Sequence, residues 1–169
     1  MSTRDTSEST NDGYLAPRPV DVIRSAVDAF NSGDIDGYLG FFDPSCRRWI
    51  VGFSDPLTLG QVGDSLRELV AAFDPLHLGA DALFGDGGHV CARWRLRGTH
   101  VVDYAGIAAT HREVDVEQCE VYEVAGGLVV ESWVYVDPGE LFRQMTTHST
   151  STPVRWPRRS MPVSFSIPR

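Results

Sequence analysis

The apolar positions of the first third of the chain fall at helical spacing. Val20, Ile23, Val27 and Phe30 recur every three or four residues after Pro19, and Asn31-Ser32-Gly33 follows as a stop. This predicts an amphipathic helix. Asp34 is placed to cap a short second helix carrying Ile35, Tyr38, Leu39 and Phe42, which Asp43-Pro44 would end. Arg47 to Gly52 reads as a short strand. Beyond the Asp55-Pro56 turn, Val62, Leu66, Leu69, Val70 and Phe73 predict a third helix, closed by Asp74-Pro75.

After Pro75 the pattern alternates residue by residue, the mark of strands with one face buried. Strands are predicted at Leu76 to Phe84, His89 to Val102, Val114 to Val124 and Leu128 to Val136, joined by glycine-rich turns at 85–88 and 125–127. The second places Val90, Ala92, Trp94, Leu96, Gly98 and His100 on one side and an arginine-rich row on the other, so one face is buried and one is wet. The fourth sets Leu128, Val130, Ser132, Val134 and Val136 on its inner face. A closing helix is expected from Pro138 to about Met145. The fold class is therefore α+β, a cone of curved antiparallel sheet wrapped round the N-terminal helices. Residues 17–146 form the domain, between a disordered arm at 1–16 and a flexible basic tail at 147–169.

Composition narrows the function. A chain of 169 residues suits one core. With Asp+Glu 23 against Lys+Arg 15, the net charge of −8 favours neither nucleic acid nor an anionic membrane. All the basic residues are Arg, which excludes a lysine Schiff base and a P-loop lysine. Cys46, Cys91 and Cys119 are odd in number and lack CxxC spacing, so neither a disulfide framework nor a zinc site is signalled. No apolar run approaches the roughly 18 residues of a membrane span. These features predict a soluble, unsecreted, cytoplasmic protein.

Gln118 and Glu120 are the anomaly, because they stand on the otherwise apolar face of Val114, Val116, Tyr122 and Val124. A buried carboxylate needs a partner, water or a proton, and each of these describes a pocket. The alternatives are a bulge that turns Glu120 outward, or an ion pair with a core Arg. His100 ends the buried face of the neighbouring strand, where it would either meet Glu120 as an acid/base pair or bond loop backbone. His77, His89, His111 and His148 follow no ligand spacing, and no metal is assigned. Ser132 adds a hydroxyl to the same cavity or bonds the ladder. Trp133, Tyr135 and Asp137 share the opposite face, which reads as a second-subunit surface or as packing against the last helix. The chain has no GxSxG elbow and no GxGxxG after a strand.

Two strings resemble a known family. Arg93-Trp94-Arg95-Leu96-Arg97-Gly98-Thr99-His100, followed by Tyr104-Ala105-Gly106-Ile107-Ala108-Ala109-Thr110, is similar to the "RW-x-x-x-GTH…GIPATG" run of the SnoaL-like polyketide cyclases. These belong to the nuclear-transport-factor-2-like superfamily. Gly127 to Asp137, followed by Leu141-Phe142-Arg143-Gln144-Met145, resembles that family's "DGKIVEHWDxxDxxGLLxQLG" ending. The resemblance covers roughly Val20 to Met145. It implies a homodimer or higher oligomer with a deep apolar pocket, acting on a polyketide-like small molecule without metal or organic cofactor.

In ring-closing members an Asp on the last strand abstracts a proton for an aldol closure, helped by a His and a Gln. By position these fall on Val134, Glu120 and Gln118, so the resemblance keeps the Gln and replaces the other two. The expected site is Glu120 as general acid/base with His100 and Gln118 orienting substrate, and Phe42, Trp94, Tyr122, Ser132 and Val134 lining the cavity. The same resemblance admits relatives that open epoxides, assist hydroxylation or only bind a ligand.

Overall fold

Residues 17–147 are described in the computed structural model. They form α1 (Pro19–Asn31), α2 (Ile35–Leu39), β1 (Phe42–Ile50), β2 (Leu57–Thr58), α3 (Leu59–Ala72), β3 (Phe73–Asp86), β4 (His89–His100), β5 (Glu113–Ala125), β6 (Leu128–Val136) and α4 (Pro138–Thr146). The expectations for 1–16 and 148–169, His148 among them, lie outside the described residues. The six strands make one curved, unclosed sheet in the order β2-β1-β6-β5-β4-β3. Its inner face packs on the helices through Val22, Ile23, Ala26 and Phe30 of α1 and Val90, Ala92, Trp94 and Val116 of the sheet. No helix among the described residues is long and apolar enough to cross a membrane.

The helices start where local chemistry directs. The Asp34 side chain accepts the Gly37 N–H at 2.8 Å to cap α2. Thr58 and Gln61 form a reciprocal capping box on α3. Asp137 accepts the Gly139 N–H at 2.9 Å to cap α4, and Pro138 fills its first turn. β3 is an edge strand, and Asn31 covers part of that edge. Its amide bonds both the carbonyl and the N–H of Leu78, at 3.0 and 2.8 Å, standing in for a neighbouring strand.

Several boundaries differ from the sequence reading. Phe42 is not on α2: the helix ends at Leu39, and Phe42 opens β1, its ring 4.9 Å from that of Tyr38 in the core. Asp43-Pro44 runs within β1, where the register with β6 shifts between Phe42 and Arg47, a place that tolerates a proline without an N–H. Asp74-Pro75 likewise does not close a helix, since α3 stops at Ala72 and β3 starts at Phe73.

The sheet is mixed rather than wholly antiparallel, because β1 pairs parallel with β6. A register shift between β5 and β6 at Glu123/Val124 turns Val129 inward, fully buried, in place of Leu128 and Val130. β4 ends at His100, and the chain beyond folds back as a loop. At its tip Ala105 (φ 49°) and Gly106 (φ 83°) both adopt left-handed backbone, which closes a tight turn between Tyr104 and Ile107.

Candidate active site

The polar side chains of the inner sheet face meet at its centre. β5 sets Gln118, Glu120 and Tyr122 opposite Trp94, Ala92 and Val90 of β4. β6 adds Ser132 beside Tyr122 and Val134 beside Glu120. From the other side β1 brings Arg48 alongside Ser132. Arg48 thereby reaches Glu120: its Nη1 lies 2.7 Å from Oε1, and Nη2 donates to Oε2 at 3.0 Å. The Glu120 side chain is 1% exposed and that of Arg48 13%, so this is a buried two-point ion pair.

Nη1 also donates to the Tyr38 hydroxyl at 3.3 Å, and Trp94 Nε1 donates to the Tyr122 hydroxyl at 3.0 Å. Oε1 is held by charge without an aligned N–H, and the buried Ser132 hydroxyl has no aligned partner.

Burial raises the Glu120 carboxyl above the usual carboxylate range, while Arg48, Tyr122 and Ser132 pull it back. Burial also opposes the Arg48 charge, but Glu120, Tyr38 and Tyr122 hold that guanidinium above its ordinary value. Arg48 therefore stays charged, with Glu120 as its counter-ion.

Burial pushes Tyr38 up to about 12 and raises Tyr122 well above the ordinary phenol value of 10.0. Both phenols keep their protons longer in the folded chain than in the unfolded one. Their contribution to stability is intact below about pH 10 and lost as the pH rises towards about 12. An alkaline titration followed by phenolate absorbance and by unfolding tests this. Ionisation of Tyr38 or Tyr122 below pH 10 in the folded chain would contradict it.

In front of the pair lies a cavity of about 300 Å³. Arg48, Gln118 and Val134 face it from the sheet, Val62, Leu66 and Leu69 from α3, and Leu141 from α4. The exposed rings of Phe53 and Phe142 stand at its mouth, and Tyr104 reaches it from the β4–β5 loop. Among the described residues that line it, Asp137 is the only carboxylate. Arg143 (2.5 Å) and the Gly139 N–H hold the Asp137 carboxyl below the usual range. Among the described residues no three His, Cys, Asp or Glu side chains come together as metal ligands.

The sequence-predicted residues divide. Gln118 and Val134 line the cavity. Glu120 stands behind Arg48 in an ion pair with that core arginine and does not itself face the cavity. Trp94, Tyr122 and Ser132 are buried around the pair, and Phe42 lies in the core beyond Tyr38. His100 is not part of the cluster. Glu120 pairs with Ala92, eight residues back along β4, roughly 26 Å of extended strand from His100. Instead His100 Nδ1 accepts the Thr110 N–H at 3.3 Å and lies 3.0 Å from its hydroxyl. Its ring stacks on Phe73 at 5.2 Å, so this histidine anchors the loop that carries Tyr104.

Arg48 was missed. Its signal was nonetheless in the alternation, for it falls in phase with the buried Cys46 and cavity-facing Ile50, a charge on an apolar face just as Glu120 is.

A family profile described as SnoaL-like polyketide cyclase matches residues 20–145. The chain belongs to the SnoaL-like polyketide cyclase family. Solved structures agree on the fold. AclR of Streptomyces galilaeus, named as a candidate hydroxylase, is 19% identical, with a TM-score of 0.70 over 75% of this chain and 94% of its own. IdmH of Streptomyces antibioticus, named as a candidate polyketide cyclase, is 22% identical, with a TM-score of 0.69 over 78% and 100%. TsrD of Streptomyces laurentii is 22% identical, with a TM-score of 0.66 over 78% and 98%. No curated protein matches. The SnoaL-like domain thus carries an arginine–carboxylate pair beneath its cavity.

Proposed function

We propose that this SnoaL-like protein is a cytoplasmic cyclase or isomerase of a bulky, mostly apolar polyketide-type metabolite, working without metal or organic cofactor. Arg48 and Gln118 polarise a substrate carbonyl. The observation that carries this reading is that, among the described residues lining a largely apolar cavity, Arg48 brings the one guanidinium, fixed from behind by a fully buried carboxylate. Fixed N–H donors in such a site stabilise negative charge as it develops on oxygen, and they need no reorganisation to do so.

Glu120 acts through Arg48 as a positioning residue. The Asp137 carboxylate is a weak proton acceptor, which suits a carbon acid flanked by two carbonyls. Purified protein is expected to convert a 1,3-dicarbonyl polyketide of this class to a ring-closed or isomerised product without added cofactor. Conversion no faster than in buffer, across such substrates, would contradict the reading.

A second reading, a ligand-binding or accessory protein, is favoured by Val134, an aliphatic residue where ring-closing relatives are expected to carry Asp. Saturable binding of the same compounds without conversion is the result that supports it.

The protein is further proposed to be a homodimer paired through the outer sheet face, where Trp133 lies alongside Trp49 and Tyr135 is 51% exposed. Two-fold pairing covers such a patch on both copies at once. Light scattering at micromolar concentration is expected to give twice the chain mass, and Trp133→Glu to give the monomer. A monomeric parent protein would overturn the proposal.

A further inference from the structure

Behind the site, on the outer face of the same two strands, sit two thiols. Cys91 of β4 pairs with Val121 of β5, and Cys119 of β5 with Arg93 of β4, so the cysteines are diagonal neighbours. Their Sγ atoms are 3.8 Å apart, and both residues are partly exposed. Cys119 lies between Gln118 and Glu120 in sequence, with its side chain on the opposite face of the strand. The remaining cysteine, Cys46, is buried in the core. Nothing in the proposed chemistry of the cavity uses either thiol of the pair.

We propose that Cys91 and Cys119 form a two-thiol modification site, closed to a cross-strand disulfide by exchange with a low-molecular-weight disulfide. One protein thiolate attacks the small disulfide, which releases one small thiol and leaves a mixed disulfide. The second protein thiolate attacks the protein sulfur of that bond and expels the other small thiol. Two protein S–H bonds are lost and one S–S bond forms. The small disulfide is reduced to two thiols, which take both protons.

Closure needs the sulfurs to move from 3.8 Å to a bonding distance of about 2.05 Å, a shift shared between two diagonal side chains and their strands. The bond ties the strand that carries Gln118 and Glu120 to its neighbour. Burial and the adjacent Cys119 thiol raise Cys91 above the ordinary thiol value, so exchange is fastest in mildly alkaline buffer.

Cys119 lies beside Tyr135 on the face proposed above for pairing, so the test treats the reduced, folded, full-length protein, diluted to the monomer, with glutathione disulfide at about pH 8.5, near the ordinary cysteine pKa. Intact mass and peptide mapping are expected to show loss of two hydrogens and a Cys91–Cys119 linkage, with one of the three thiols still titratable. Cys91→Ser and Cys119→Ser should each abolish the internal bond and stop at the mixed disulfide. A trivalent arsenical, which condenses with two adjacent thiols and releases water, should bind the parent protein with one-to-one stoichiometry and neither variant. An internal bond that includes Cys46, a bond between two chains, or mixed disulfides alone on the parent protein would overturn the proposal. None of these readouts depends on substrate turnover.

Discussion

Replacing Glu120 with Gln is expected to lower folding stability by about 3–5 kcal/mol, the usual loss when one partner of a buried ion pair is removed. The geometry explains the size. Gln fills the same space beside Val134 and Ala92 but leaves the Arg48 guanidinium, 13% exposed, without its counter-ion. Arginine has no neutral form available to relieve that cost. Because burial holds the parent's Glu120 carboxyl above its unfolded value and Gln does not titrate, the loss should be largest in mild acid and narrow as the pH climbs through the folded pKa. Denaturant unfolding at several pH values measures it, and a Glu120→Gln variant within about 0.5 kcal/mol of the parent, the range of an ordinary surface substitution, would show that the pair is not buried as described.

The converse variant, Arg48→Met, is expected to lower kcat by about 10²–10³, the usual effect of removing one fixed donor to a developing oxyanion. Its stability should behave differently from that of Glu120→Gln. An orphaned carboxylate takes up a proton, so the folded pKa of Glu120, already raised by burial, rises further once Arg48 no longer pulls it down. A carboxyl raised above its unfolded value holds more protons in the folded chain. The associated stability is present at low pH and is lost as the pH climbs through the folded pKa. Arg48→Met should thus unfold more easily at neutral than at mildly acidic pH. A turnover equal to that of the parent protein would remove Arg48 from the chemistry.

Much of this site was legible in the chain, because side-chain alternation reports which residues share a face. Val114, Val116, Gln118, Glu120 and Tyr122 do share the inner face of β5, and the glutamate among them marked the polar centre. Alternation does not report which strands become neighbours. The parallel pairing of β1 with β6 joins residues more than eighty apart in sequence, and it alone brings Arg48 to Glu120. Nor does it report distance along a strand. His100 shares a face with Ala92 but stands too far along β4 to reach Glu120. The bulge that turns Val129 inward and the run of β1 through Pro44 were hidden for a related reason. Both are irregularities fixed by the partner strand, and a reading based on strict periodicity passes over them.

The most direct test is turnover by the double variant Arg48→Met/Glu120→Leu. Exchanging both members of a buried ion pair for apolar side chains of similar volume is often neutral for stability or favourable. The double variant should therefore recover most of the stability lost in Glu120→Gln and keep an intact cavity. Turnover on a substrate converted by the parent protein should nevertheless stay about 10²-fold or more below it, because the donor facing the cavity is gone. A folded double variant with parental kcat would contradict the role assigned to Arg48.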